Sequence, residues 1–217
     1  MLVFVEGGIP GAGSGGGGRA GAGGGGTVNE PANLPAEYKG QFGRLSADKT
    51  IQKLREFVNN GGTLVAIGNS ATNIAQHLHL PVENHLLENG VALPRTKFYV
   101  PWSVLSVKVD NTHPAGYGMT EHVDAFFDAS PVFKLTPAAA AQGVKAVAWF
   151  DSQTPLRSGW AWGQEYLNGG MAAIEAPVGK GRVLLFGPQI VQRAQPHGTF
   201  KFLFNAIMSA TVTRITP

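Results

Sequence analysis

Residues 46–81 are ordered in a way that one class of fold accommodates. Ser46 precedes a stretch whose apolar residues Ile51, Leu54, Phe57 and Val58 recur at helical spacing, so it is read as the cap of a helix. Gly61-Gly62 stops that helix. The run from Thr63 to Ile67 is apolar and partly β-branched, as a strand is. Gly68-Asn69-Ser70 is a tight turn. Ala71, Ile74, Ala75 and Leu78 then share one face of a second helix, which Pro81 closes. Helix, strand, turn and helix in that order make an α/β fold.

The second half reads as richer in strands. From Ser103 to Val109 the residues Val104, Leu105, Val107 and Val109 are interleaved with polar ones, and Asp110 to Pro114 form a turn cluster. Further strands are expected at 132–135, 144–150, 171–176 and 182–186, the last two joined as a hairpin at Gly179-Lys180-Gly181. A closing helix over 199–208 is expected to turn Phe200, Leu203, Phe204 and Ile207 to the core. Leu2 to Glu6 reads as a short buried strand, and a chain that begins inside a strand reads as a fragment of a longer protein. No internal repeat is present.

Residues 7–47 interrupt this pattern. From Gly11 to Gly26 eleven of sixteen residues are glycine, too little side chain to bury and too much entropy to lose, so a mobile loop is expected. Gly11, Gly13 and Gly16 match the spacing of a dinucleotide fingerprint. That fingerprint needs a helix to start there, and more glycine follows instead.

Composition narrows the function. With 217 residues, 43% of them hydrophobic, the chain suits one domain spanning 1–217. The formal charge is +3 with its basic residues scattered, which argues against a nucleic-acid partner. No apolar run approaches the length of a membrane span. The chain has no cysteine, which removes disulfides, thiolate metal sites and a cysteine nucleophile.

Several segments resemble known families. Leu54 to Ile67 resembles the helix and strand before the nucleophile turn of class I glutamine amidotransferase-like domains. His113 to Gly118, Ser158 to Gly163, Leu185 to Gln189 and Arg193 to Asn205 together look like the region after the catalytic domain in bacterial zinc carboxypeptidases. The resemblance covers nearly the whole chain. It implies a flavodoxin-like, amidotransferase-like three-layer sandwich with a mainly parallel central sheet. It also implies a secreted or periplasmic parent, and an upstream peptidase domain that holds the zinc and is the partner of this one.

Neither family's chemistry is complete here. Zinc carboxypeptidases bind metal through His-x-x-Glu and a later His, with a further Glu as general base. His85 and Glu88 have the first spacing and His197 lies downstream, but no Asp or Glu follows His197. His77 and His79, two apart at a helix end, diverge. In the amidotransferase turn a cysteine is required. Ser70 stands in that turn, and Thr199 stands where the acid beyond the histidine belongs.

Three readings therefore remain. One is a non-catalytic accessory domain that packs on a peptidase domain or binds a peptide or glycan, with no cofactor of its own. Another is a serine-type hydrolase using Ser70 and His197. The last is an interaction domain that forms a homo-oligomer through an open sheet edge. Candidate ligand contacts are Asn69, Arg157, Ser158, Trp160, Trp162 and Arg193. The arginines offer planar donor forks, and the tryptophans either cover the sheet edge or line a groove. Tyr99, Trp102 and Tyr117 are weighed the same way.

Overall fold

The structure is a computed structural model, and it describes residues 1–12, 33–39, 45–47 and 49–211. Most of the glycine-rich run, with the dinucleotide-type spacing, lies outside the described residues. The strands are β1 (Leu2–Phe4), β2 (Thr63–Ile67), β3 (Val82–Asn84), β4 (Leu87–Glu88), β5 (Val91–Ala92), β6 (Ser103–Val109), β7 (His122–Phe127), β8 (Phe133–Leu135), β9 (Lys145–Trp149), β10 (Leu156–Ser158), β11 (Met171–Val178) and β12 (Gly181–Phe186). The helices are α1 (Thr50–Asn59), α2 (Asn69–His77), α3 (Ala138–Ala141) and α4 (Phe200–Thr211).

The main sheet runs β1-β2-β12-β11-β9-β6-β10, with β7 added on β6, β8 on β11 and β3 on β8. β1, β2 and β12 are parallel neighbours, while β11, β9, β6, β7 and β10 pair antiparallel. The α/β class and the strand-rich second half are as expected. The sheet is mixed, with its parallel part confined to three strands. The reason is local: β11 returns to β12 through the two-residue turn Gly179-Lys180, and a hairpin makes antiparallel neighbours.

Two cores lie on opposite faces of this sheet, so the expected three layers are present. Leu64, Ala66, Val183 and Leu185 face α1 and α2, meeting Ile51, Leu54, Val58, Ala71 and Ile74. The intervening residues Val65, Ile67, Leu184 and Phe186 face the other way, toward Phe202 and Ala206 of α4. Period-two alternation along β2 and β12 thus divides the side chains between the layers. Each fully buried Leu, Ile or Val contributes about 1.5–3 kcal/mol.

The helix ends follow from sequence. Ser46 Oγ accepts from the Lys49 amide at 3.4 Å and its carbonyl accepts from Thr50 N at 2.9 Å, so Ser46 closes the start of α1 from just outside it. At the other end Gly61 takes φ +104°, Gly61 N–H donates to Val58 O at 2.9 Å, and Gly62 N–H donates to Phe57 O at 3.0 Å. That pair of bonds is a Schellman ending, which a left-handed glycine permits.

Two expectations are corrected. β1 is an exposed strand at the edge of the sheet, with Leu2 37% and Val3 39% exposed, because among the described residues only β2 pairs with it. On α4 the sheet-facing residues are Phe202 and Ala206, whereas Phe204 is 56% exposed. The helix reads Phe-Lys-Phe-Leu-Phe-Asn-Ala-Ile-Met, with apolar residues on more than one face, so spacing alone does not choose between stripes.

Candidate functional site

The turn after β2 comes first, because that is where the amidotransferase resemblance places a nucleophile. Gly68 adopts φ +62°, and a Cβ there would lie 1.7 Å from Glu6 Oε2. Glu6 fills the space beside the turn. Its Oε2 accepts from the Asn69 amide and from Gln189 Nε2, both at 2.8 Å. The negative charge therefore sits at the N-terminus of α2, where the helix dipole favours it.

Ser70 is fully buried. Its hydroxyl donates to Val5 O at 2.6 Å and accepts from Ile9 N at 3.1 Å. One turn on, Asn73 Nδ2 donates to Ile9 O at 2.7 Å, and His77 Nε2 donates to Pro10 O at 2.8 Å. Residues 70, 73 and 77 share one side of α2, and this side binds the backbone of residues 5–10. A nucleophilic serine needs an oxygen that can reach a substrate and a base beside it. Ser70 is covered by its own chain, and it is not among the residues that line the groove of His197.

His197 lies elsewhere, in a groove between the outer face of β7 and the first turns of α4. The groove has a volume of about 1060 Å³. Val104, Phe126, Phe200 and Phe204 give it apolar walls, and Arg157, Asp124, His122, His197 and Lys201 give it charge and polarity. Arg157 Nε donates to Asp124 Oδ1 at 3.3 Å, and His122 Nε2 meets Asp151 Oδ2 at 2.9 Å. His197 Nε2 donates to Ala194 O at 3.1 Å, and its ring lies 5.1 Å from that of Phe200. Lys201 Nζ donates to Gly118 O at 2.5 Å.

Beside the groove is an aromatic rim. Trp102, Trp160 and Trp162 are exposed by 60%, 61% and 56%. Each is held by its backbone or ring. The Trp160 amide donates to buried Ser103 Oγ at 2.9 Å, Trp162 pairs both ways with Tyr99, and Trp162 Nε1 donates to Thr96 O at 2.9 Å. Trp102 packs edge-on against Phe126 at 5.9 Å, with the Arg193 guanidinium 6.0 Å from its ring.

The sequence-derived contacts are thus divided. Arg157 lines the groove with His197. Ser158 is exposed on β10, paired with Val104, and Arg193 lies against Trp102. Asn69 belongs to a different cleft, beside Glu83 and Ser130. Sequence reasoning missed Glu6, His122, Asp124 and Lys201. The alternation of exposed and buried residues over His122–Phe127 marks a strand, and that signal would have placed His122 and Asp124 together on its outer face.

Glu88 pairs with Lys97, and the half-buried His85 has its pKa lowered chiefly by burial. Among the described residues no group of three His, Asp or Glu side chains is placed to hold an ion. Among them, too, no helix is long and apolar enough to cross a membrane.

Comparison with known proteins gives a likeness in structure only. No protein-family model and no curated protein sequence matches the chain. Among solved structures, a β-galactosidase from Bacillus circulans aligns with 76% of this chain and 21% of its own, at 11% identity and a TM-score of 0.47. A β-galactosidase from Rahnella aligns over 77% and 21%, at 14% identity and a TM-score of 0.48. A ThuA-like protein from Bacteroides uniformis aligns over 75% and 64%, at 15% identity and a TM-score of 0.42. The chain spans about a fifth of the length of the β-galactosidases it matches. The fold class stands on the chain's own topology.

Proposed function

We propose that the chain is a non-catalytic accessory domain of a larger protein, and that this parent is a secreted or periplasmic zinc-carboxypeptidase-like protein. The filled turn after β2 carries the first half of this reading. Glu6 lies against the N-terminus of α2 and Ser70 is bonded at both ends to residues 5–9. The parentage rests on the resemblance of residues 113–118, 158–163, 185–189 and 193–205. In this reading the zinc belongs to the peptidase domain.

The domain packs on that peptidase domain or binds a peptide or glycan. The aromatic rim supports a contact role, because exposed tryptophan beside arginine is what interaction surfaces are enriched in. Self-association would run through the side of β1 away from β2, which pairs with no other strand among the described residues.

The test of parentage is the full reading frame that encodes this chain. An upstream His-x-x-Glu, a later His and a general-base Glu are expected. A frame with an unrelated upstream domain would overturn it. Light scattering over a concentration series tests the edge: dimers or larger species are expected, and a monomer throughout would contradict them.

A further inference from the structure

We propose that the groove between β7 and α4 binds the carboxyl-terminal end of a peptide whose last residue is apolar. This rests on the reading of the chain as a non-catalytic binding module, and it names the ligand class. The groove's volume of about 1060 Å³ has room for more than one residue. Phe126, Phe200 and Phe204 wall it, and Phe204 is left 56% exposed, a large apolar surface that a ligand would cover.

The charge of the groove selects an anion. Arg157 and Lys201 line it, and Asp124 is the one carboxylate among its lining residues. Among the described residues Asp124 is the acceptor bonded to Arg157, and it is reached through Nε. The two terminal NH2 groups of the guanidinium remain for a second acceptor, and their planar fork matches a carboxylate. Both cations have a partner at the groove, Asp124 for Arg157 and the Gly118 carbonyl at 2.5 Å for Lys201.

An aromatic wall beside a fixed cation fits a ligand that carries a carboxylate and an apolar side chain on one carbon. The last residue of a peptide has both. A neutral sugar would accept hydrogen bonds from Arg157 and Lys201 but bring no charge to match theirs, and an inorganic anion would leave the phenylalanines uncovered.

Calorimetric titration with N-acetyl-Ala-Ala-Phe as free acid and as C-terminal amide, and with 3-phenylpropanoate, tests the assignment. The free acid is expected to bind at least about tenfold more tightly than the amide, and Arg157→Ala or Lys201→Ala to weaken it about tenfold. Phe204→Ala is expected to weaken acid and amide alike. All three side chains are solvent-exposed, so circular dichroism should show the variants folded.

Equal binding of acid and amide, or no binding of either, would overturn the assignment. So would 3-phenylpropanoate binding as tightly as the peptide, which would mark a site for small acids. None of these results touches the non-catalytic reading. Cleavage of the peptide, seen by mass spectrometry, would overturn that reading and this assignment with it.

Discussion

The Glu6 carboxylate accepts a hydrogen bond from the Asn69 amide at 2.8 Å, across the turn that follows β2. The same oxygen accepts from Gln189 Nε2 at 2.8 Å, so one side chain joins the segment after β1, the start of α2 and the loop after β12. Glu6→Gln removes the charge from the helix N-terminus and weakens both bonds. A loss of about 1 kcal/mol is expected, the scale of a lost helix cap. Urea unfolding checks it: the midpoint should fall with the slope unchanged.

The two stripes of α4 should respond differently to truncation. Phe202 is 2% exposed and packs on Phe186 at 5.4 Å, so Phe202→Ala should cost about 3–5 kcal/mol. Phe204 is 56% exposed, and Phe204→Ala should stay within about 0.5 kcal/mol. Thermal unfolding of the two variants, side by side, separates them.

These two predictions mark where the sequence was readable. The helix–strand–turn–helix unit was legible because glycines punctuate it and each apolar run has a single period. α4 was misread because its apolar residues occupy two faces, and only the position of the sheet decides which is buried. β7 was passed over although its alternation is clear. The role of Glu6 had no local signal, since its partners Asn69 and Gln189 are distant in the chain. The groove likewise joins residues from β6, β7, β10 and α4, a juxtaposition that spacing does not encode.

Acid should weaken the fold through His113 and His85. His113 is buried, with Asp110, Glu175, Lys145 and Arg182 around it, and burial holds its pKa below the ordinary 6.5 despite the attraction of Glu175. His85 is lowered in the same way. The folded protein then binds fewer protons than the unfolded chain below that value, so stability is complete above about pH 6.5 and falls as pH drops through it. Urea midpoints at pH 7.5, 6 and 5 should decrease in that order, and His113→Gln should flatten the trend. A midpoint constant to pH 5 would contradict this.

The state of Ser70 is the most direct test of a non-catalytic domain. Its hydroxyl is buried and bonded to Val5 O and Ile9 N at 2.6 and 3.1 Å. Incubation with a fluorophosphonate probe, followed by peptide mass spectrometry, measures whether it can act as a nucleophile. The account predicts that the peptide carrying Ser70 remains unmodified while the protein is folded. Stoichiometric phosphonylation of Ser70 in the native protein, matched by ester hydrolysis that Ser70→Ala abolishes, would contradict it.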